Sequence, residues 1–344
     1  MMKAYGIGPQ NGIGGLHMQD LPEPVAGPGE VALRVLGAGL NYRDLMLLDN
    51  NYSAPQPAQR VPLSDGVGVV ESLGQGVTDL QIGDRVIAPN FIGWLDGPFS
   101  PAVFGQDLGI SADGWLVQKR TLPAAAAIKV PDGVSNAAAA TLSVVGATVW
   151  HSMMAFGNAK PGDLVLAQGT GGVSVFALLL AKAMGMKFAI TSSSDEKLER
   201  CRAMGADYTV NYQTHADWPT AMLEQSGGRG ADVVVDTLGF ATIGQAVAAC
   251  SVNARIATLG NLSGSKQAAP NVSQGEILGK NITIKGVTSG SRAMLQSAIE
   301  VLAQGGVEIP VDRAFAFADA LAAFEYLASA SHLGKIMIDM EGDS

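Results

Sequence analysis

The run Asp163-Leu164-Val165-Leu166-Ala167-Gln168 ends in Gly169-Thr170-Gly171-Gly172-Val173-Ser174 and passes directly into Val175-Phe176-Ala177-Leu178-Leu179-Leu180-Ala181. A short apolar run, a glycine-rich turn and an apolar helical pattern in this order form the context in which a glycine fingerprint signals phosphate binding. Gly169 lets the chain turn sharply, and Gly171 lets backbone approach a pyrophosphate. A helix starting near Val173 would aim its unpaired N–H groups and positive dipole end at that anion. The third fingerprint position holds Ser174, which is small enough for close packing of helix on strand. Gly169, Thr170, Gly171, Gly172 and Val173 are therefore the first candidate cofactor residues.

With 344 residues the chain is long enough for two domains. To about Val130 it reads as short strands punctuated by turns, with candidates at Val31–Leu36, Val67–Leu73 and Asp84–Ala88. This part is expected to be a compact, mainly β domain. From Asn136 an alanine-rich helix opens a regular βα alternation. Strands are expected at Leu164–Ala167, Met186–Thr191, Tyr208–Val210, Asp232–Asp236, Arg255–Leu259 and Ile282–Val287. Six such strands with helices between them make a doubly wound parallel sheet of the Rossmann type. A closing strand at Lys335–Ile338 is expected to rejoin the N-terminal part. The expected organisation is a catalytic domain of residues 1–126 and 307–344 with a nucleotide domain of residues 127–306 inserted in it.

The formal net charge of −9, with no basic run, argues against nucleic acid or an anionic membrane as partner. No apolar run is long enough to cross a bilayer, and the N-terminus lacks the layout of a signal peptide. Cys201 and Cys250 are the only cysteines and make no C-x-x-C pair. A reducing cytoplasm is the expected location.

Taken together these segments resemble the medium-chain dehydrogenase/reductase superfamily, and within it the zinc-independent, quinone-oxidoreductase-like branch. The likeness rests on Gly37-Ala38-Gly39-Leu40-Asn41-Tyr42-Arg43-Asp44, Ile82-Gly83-Asp84-Arg85-Val86, Pro161-Gly162-Asp163 leading into the glycine turn, and Ala203-Met204-Gly205-Ala206-Asp207 followed by Asn211-Tyr212. It implies an α/β fold with a GroES-like mainly-β catalytic domain beside the Rossmann domain, and a homodimer paired through the edge strand at Ile282–Val287.

The resemblance also locates what is missing. Zinc-dependent relatives use Cys, His and a further Cys or Asp around a catalytic metal. The matching positions here are Asn41, Ser64 and the neighbourhood of Val144, so no metal is expected. Alcohol oxidation needs something to hold an alkoxide at neutral pH. Conjugate reduction is less demanding, because one hydrogen-bond donor can meet the charge that develops on the carbonyl oxygen.

An Asp or Glu about 20 residues after the glycines binds the ribose hydroxyls in NAD enzymes. That place is held by Thr191-Ser192-Ser193-Ser194. Ser192 and Ser193 can donate to a 2′-phosphate that a carboxylate would repel, so NADP (NADPH) is the expected cofactor. By resemblance Lys197 and Tyr212 flank that phosphate, and Asn261 contacts the nicotinamide side. Alternatively, Ser194 or Asp195 caps the following helix and Lys197 is a solvated charge.

At the chemical end Asn41 and Tyr52 are the catalytic candidates. By resemblance Tyr52 borders the nicotinamide, where a phenol could donate to a developing oxyanion, or the ring could simply line the cleft. Arg43 and Asp44 are further candidates there, or else simply pair with each other on one helical turn. The apolar loop from Trp94 to Pro101 reads as a shaper of the acceptor pocket. The expected activity is NADPH-dependent reduction of a small carbonyl or quinone substrate. A reductase of enoyl thioesters and a cofactor-binding protein with little turnover are the alternatives.

Overall fold

The computed structural model describes residues 1–52, 59–260, 272–307 and 309–341. They form two compact units, Met1–Ala147 with Gly290–Ser344 and Thr148–Ser289. Both edges fall inside the expected nucleotide span of 127–306, and packing explains why. The helix Asn136–Ala140 lies against the first unit's sheet, and Arg292, at the start of the helix Arg292–Gly305, donates to the Ala127 carbonyl at 2.9 Å.

In chain order the first unit opens with β1 (Met2–Ile7), β2 (Leu16–Leu21), β3 (Glu30–Gly39), β4 (Asp65–Leu73), β5 (Arg85–Ile87), β6 (Lys119–Pro123) and β7 (Ile128–Lys129). The second unit carries β8 (Leu164–Gln168), β9 (Lys187–Ser192), β10 (Tyr208–Asn211), β11 (Ala231–Asp236), β12 (Cys250–Thr258) and β13 (Thr283–Gly286). The chain then returns to the first unit as β14 (Val311–Ala316) and β15 (Lys335–Asp339).

Strand β3 organises the first unit. It pairs with β4 along one edge; β6 and β15 share the other, β6 at Glu30–Arg34 and β15 at Gly37–Gly39. The β-branched and leucine side chains of β3, with Val31, Leu33 and Val35 buried, suit a pleated strand packed on a core. Its last residues are glycine for a local reason. A Cβ on Gly39 would stand 2.5 Å from the Ala140 carbonyl oxygen, and one on Gly37 3.2 Å from the Ala140 Cβ. The alanine helix can therefore sit directly on the strand end, which brings the start of the next helix, Tyr42–Leu48, to a defined place.

The second unit is a six-stranded parallel sheet in the order β10-β9-β8-β11-β12-β13. Chain progression reverses between β8 and β11, and ligands of open parallel sheets bind beyond the strand ends at such a switch point. Both strands are buried throughout their centres, as continuous apolar runs in a parallel sheet should be. Strand β13 forms one edge of this sheet.

Candidate active site

In the second unit the glycine turn follows β8 at the switch point. Gly169 has φ +76°, a left-handed conformation that suits glycine. Gly171 has φ −77° and ψ −179°, which any residue adopts, and a Cβ there would meet no atom within 4 Å. Packing among the described residues thus places no demand for glycine at 171. The helix Gly172–Ala183 begins at once, with Gly171 as its N-cap and no side chain over its first N–H groups. An anion is favoured at such an end. Ser174 is buried and its hydroxyl donates to the Gln168 carbonyl at 3.0 Å, tying helix to strand. The Gln168 side chain is buried with neither amide atom partnered among the described residues.

Ser192 is the last residue of β9, where the ribose-binding acid of NAD enzymes would stand. Its Oγ accepts from the Ser194 N–H at 3.2 Å, and a hydroxyl that accepts can still donate its hydrogen. Tyr212 is brought to the same strand end, its N–H donating to the Ser192 carbonyl at 3.0 Å, and its side chain is exposed. Ser193 is exposed and Lys197 half-buried. Ser194 caps the helix Asp195–Ala203 by accepting from the Lys197 N–H. The Ser194 cap is thus present, and Ser192 and Tyr212 meet through backbone at the end of β9. Asn261 lies outside the described residues.

Of the histidines, His151 is buried and its Nδ1 lies 2.7 Å from the Ser289 carbonyl. Burial lowers its pKa, so it is a neutral core histidine.

The first unit contains a separate buried polar cluster. Asp65, fully buried at the start of β4, faces Lys335 at the start of β15, with Nζ 2.8 Å from Oδ2. The same ammonium donates to the Leu40 carbonyl and to the Asn41 Oδ1, both at 2.6 Å. Asn41 in turn donates from Nδ2 to Asp65 at 3.0 Å, and the Val144 N–H donates to the other Asp65 oxygen at 2.8 Å. Each buried charge is therefore matched, as burial requires. The Asn41 N–H donates to Asp44 at 2.7 Å. Burial pushes the Asp44 carboxyl up to about 7, against the opposing pull of Arg43.

Arg43 does not pair with Asp44. Its guanidinium reaches Asp107 at 2.7 Å and lies over the Tyr52 ring, 5.1 Å from the centroid. Partial desolvation raises the Tyr52 phenol above its usual range, and Arg43 works against that shift. Tyr52 remains 39% exposed, so the ring can meet a molecule from outside.

The positions that resemblance matches to zinc ligands are occupied by other chemistry. Asn41 is committed to Asp65 and Lys335, the buried Ser64 hydroxyl donates to the Leu108 carbonyl at 2.8 Å, and Val144 offers no side-chain donor. An amide, a hydroxyl and an aliphatic side chain are not the thiolate, imidazole and carboxylate donors that zinc takes. Among the described residues no group of three His, Cys, Asp or Glu could hold a metal ion.

Sequence reading missed Asp65 and Asp107 and took Lys335 mainly as the start of a strand. A signal existed for two of them: a carboxylate opening the buried strand Asp65-Gly66-Val67 and a lysine opening Lys335-Ile336-Met337 each demand a partner.

Comparison with known proteins agrees with this architecture. Residues 27–132 match the model of the alcohol dehydrogenase GroES-like domain, and residues 172–304 match that of the zinc-binding dehydrogenase domain. A zinc-type alcohol dehydrogenase-like protein of Schizosaccharomyces pombe is 35% identical over 91% of this chain and 92% of its own. Among solved structures, an NAD-dependent alcohol dehydrogenase superposes with a TM-score of 0.89 at 29% identity, over 98% of this chain and 100% of that one. A quinone oxidoreductase of Pseudomonas syringae pv. tomato gives 0.81 at 26% identity, over 99% and 100%. A GroES-like unit interrupted by a six-stranded parallel sheet, matched by relatives along nearly its whole length, makes this chain a member of the medium-chain dehydrogenase/reductase superfamily.

Proposed function

We propose that this chain is an NADPH-dependent reductase that acts on quinones or α,β-unsaturated carbonyls without zinc. The observation that supports the reading is the Asp65–Lys335–Asn41 network, in which Asn41, the position that resemblance matches to the first zinc ligand, is an amide already hydrogen-bonded to a neutralised carboxylate and ammonium.

Bound NADPH would supply the hydride. The N–H groups at Gly171–Val173 would bind its pyrophosphate, with the Gly171 face left bare for close approach. Ser192, Ser193 and Lys197 would receive the 2′-phosphate and Tyr212 would flank it. Asn261, by resemblance, would contact the nicotinamide side. In the first unit the Tyr52 phenol would donate a hydrogen bond, and then a proton, to the carbonyl oxygen as hydride reaches the conjugated carbon. Asn41, held by Lys335 and Asp65, would orient a carbonyl or carboxamide oxygen from a fixed position. Among the described residues no helix is long and apolar enough to cross a membrane, and we take the protein to be a cytoplasmic homodimer paired along β13.

The test is a comparison of kcat/KM for NADPH and NADH, with quinones, enones and enoyl thioesters assayed side by side. Clear NADH preference would refute the nucleotide assignment, and turnover confined to thioesters would refute the acceptor assignment.

A further inference from the structure

The segment 86–118 contains no lysine or arginine, yet Asp107 within it is buried at 3% exposure. Its counter-charge comes from Arg43, 64 residues earlier. The two oxygens of Asp107 serve different parts of the first unit. Oδ2 accepts from Arg43 at 2.7 Å, and Oδ1 accepts from the Asn90 Nδ2 at 3.0 Å.

Asn90 and Asp107 bracket the loop Phe91–Gln106. Its stem is closed by backbone hydrogen bonds from Leu108 to Asn90 (2.9 Å) and from Ile92 to Gln106 (3.1 Å). The Asp107 N–H also donates to Ser111 Oγ, whose hydroxyl donates to the Phe104 carbonyl at 2.7 Å. Above the stem Phe91, Trp94, Phe99 and Phe104 form a chain of edge-on and tilted rings with centroids 5.6 to 6.5 Å apart. Phe99 and Phe104 remain about half exposed. On the other side of the carboxylate, Arg43 is held over Tyr52.

We propose that Asp107 is a positioning residue that latches the aromatic loop Phe91–Gln106 to the helix Tyr42–Leu48 and, through Arg43, fixes the Tyr52 ring, so that loop and phenol move as one body. The catalytic consequence rests on the reading of Tyr52 as the donor to the acceptor carbonyl. The latch itself does not.

The experiment is hydrogen exchange on the full chain carrying Asp107→Asn, with steady-state kinetics on the same sample. Asparagine keeps the shape and can still accept from Asn90, but it removes the charge that holds Arg43. Exchange should quicken at least tenfold in residues 42–52 and in 91–106 together, with β8–β13 unchanged. The value of kcat should fall at least tenfold while the Kd for NADPH stays within twofold. Arg43→Gln cuts the latch from the helix side and should loosen the same two segments, so the idea remains testable if one variant does not fold. Loosening of one segment without the other, or of neither, would overturn the proposal. Tyr52→Phe separates the two readings: coupled loosening in Asp107→Asn together with full turnover in Tyr52→Phe keeps the latch and sinks the donor role.

Discussion

Replacing Lys335 by Met probes the buried network at its one cation. The methionine keeps an unbranched apolar stem but removes an ammonium that serves three acceptors, Leu40 O, Asn41 Oδ1 and Asp65 Oδ2, within 2.6–2.8 Å. Asp65 is fully buried and would keep only the Asn41 amide and the Val144 N–H. Breaking a buried ion pair from one side costs about 3–5 kcal/mol, because the remaining charge is stranded. In a unit of about 200 residues that corresponds to a fall in Tm of roughly 6–20 °C, at about 2–4 °C per kcal/mol. Thermal and urea unfolding of the purified protein measure it. Lys335→Met with Asp65→Asn removes both charges and should recover most of the loss, since neither is then buried alone. A single variant that loses less than about 1 kcal/mol, or a double variant no better than the single, would refute the reasoning.

Other outcomes follow from the same geometry. Gly171→Val should leave Tm nearly unchanged, because the backbone is unstrained and the site is open, while weakening NADPH binding at least tenfold by titration calorimetry. Gly169→Ala should instead cost about 1 kcal/mol in urea unfolding, since φ +76° strains an alanine. Asp44, pushed up to about 7 by burial from an unfolded value near 3.8, makes the folded protein hold a proton that the unfolded chain has released between those values. Stability should therefore fall as pH rises through that window, by at most about 4 kcal/mol. Asp44→Asn should flatten the slope, and an unchanged slope in denaturation across pH 4–8 would show that other groups carry it. Ser192→Glu should lower kcat/KM for NADPH by at least about tenfold relative to NADH, through repulsion of the 2′-phosphate; an unaltered ratio would remove Ser192 from the nucleotide site.

The parallel sheet was legible because its strands are short apolar runs at regular spacing, and all six strands, β8 to β13, overlap the expected segments. The hairpin of β1 and β2 and the short strands β6 and β7 were not, since none of them alternates cleanly between apolar and polar residues: β1 is buried at all but Lys3, and β2, β6 and β7 mix polarity over short runs. The glycine turn announced itself through its position between an apolar run and an apolar helical pattern. The acceptor side did not, because its logic is non-local: Asp65 finds its cation 270 residues away, and Asp107 finds its own 64 residues away. No local pattern encodes such pairings. Arg43 beside Asp44 shows the hazard, for adjacency suggested a pair and the fold turned Arg43 to a carboxylate on another loop.

The most direct measurement is acceptor reduction by chelator-treated protein whose metal content has been quantified in the same sample. The account predicts that NADPH oxidation with quinones or enones proceeds at an unreduced rate with negligible zinc and gains nothing from added zinc. Stoichiometric zinc whose removal abolishes turnover would contradict it.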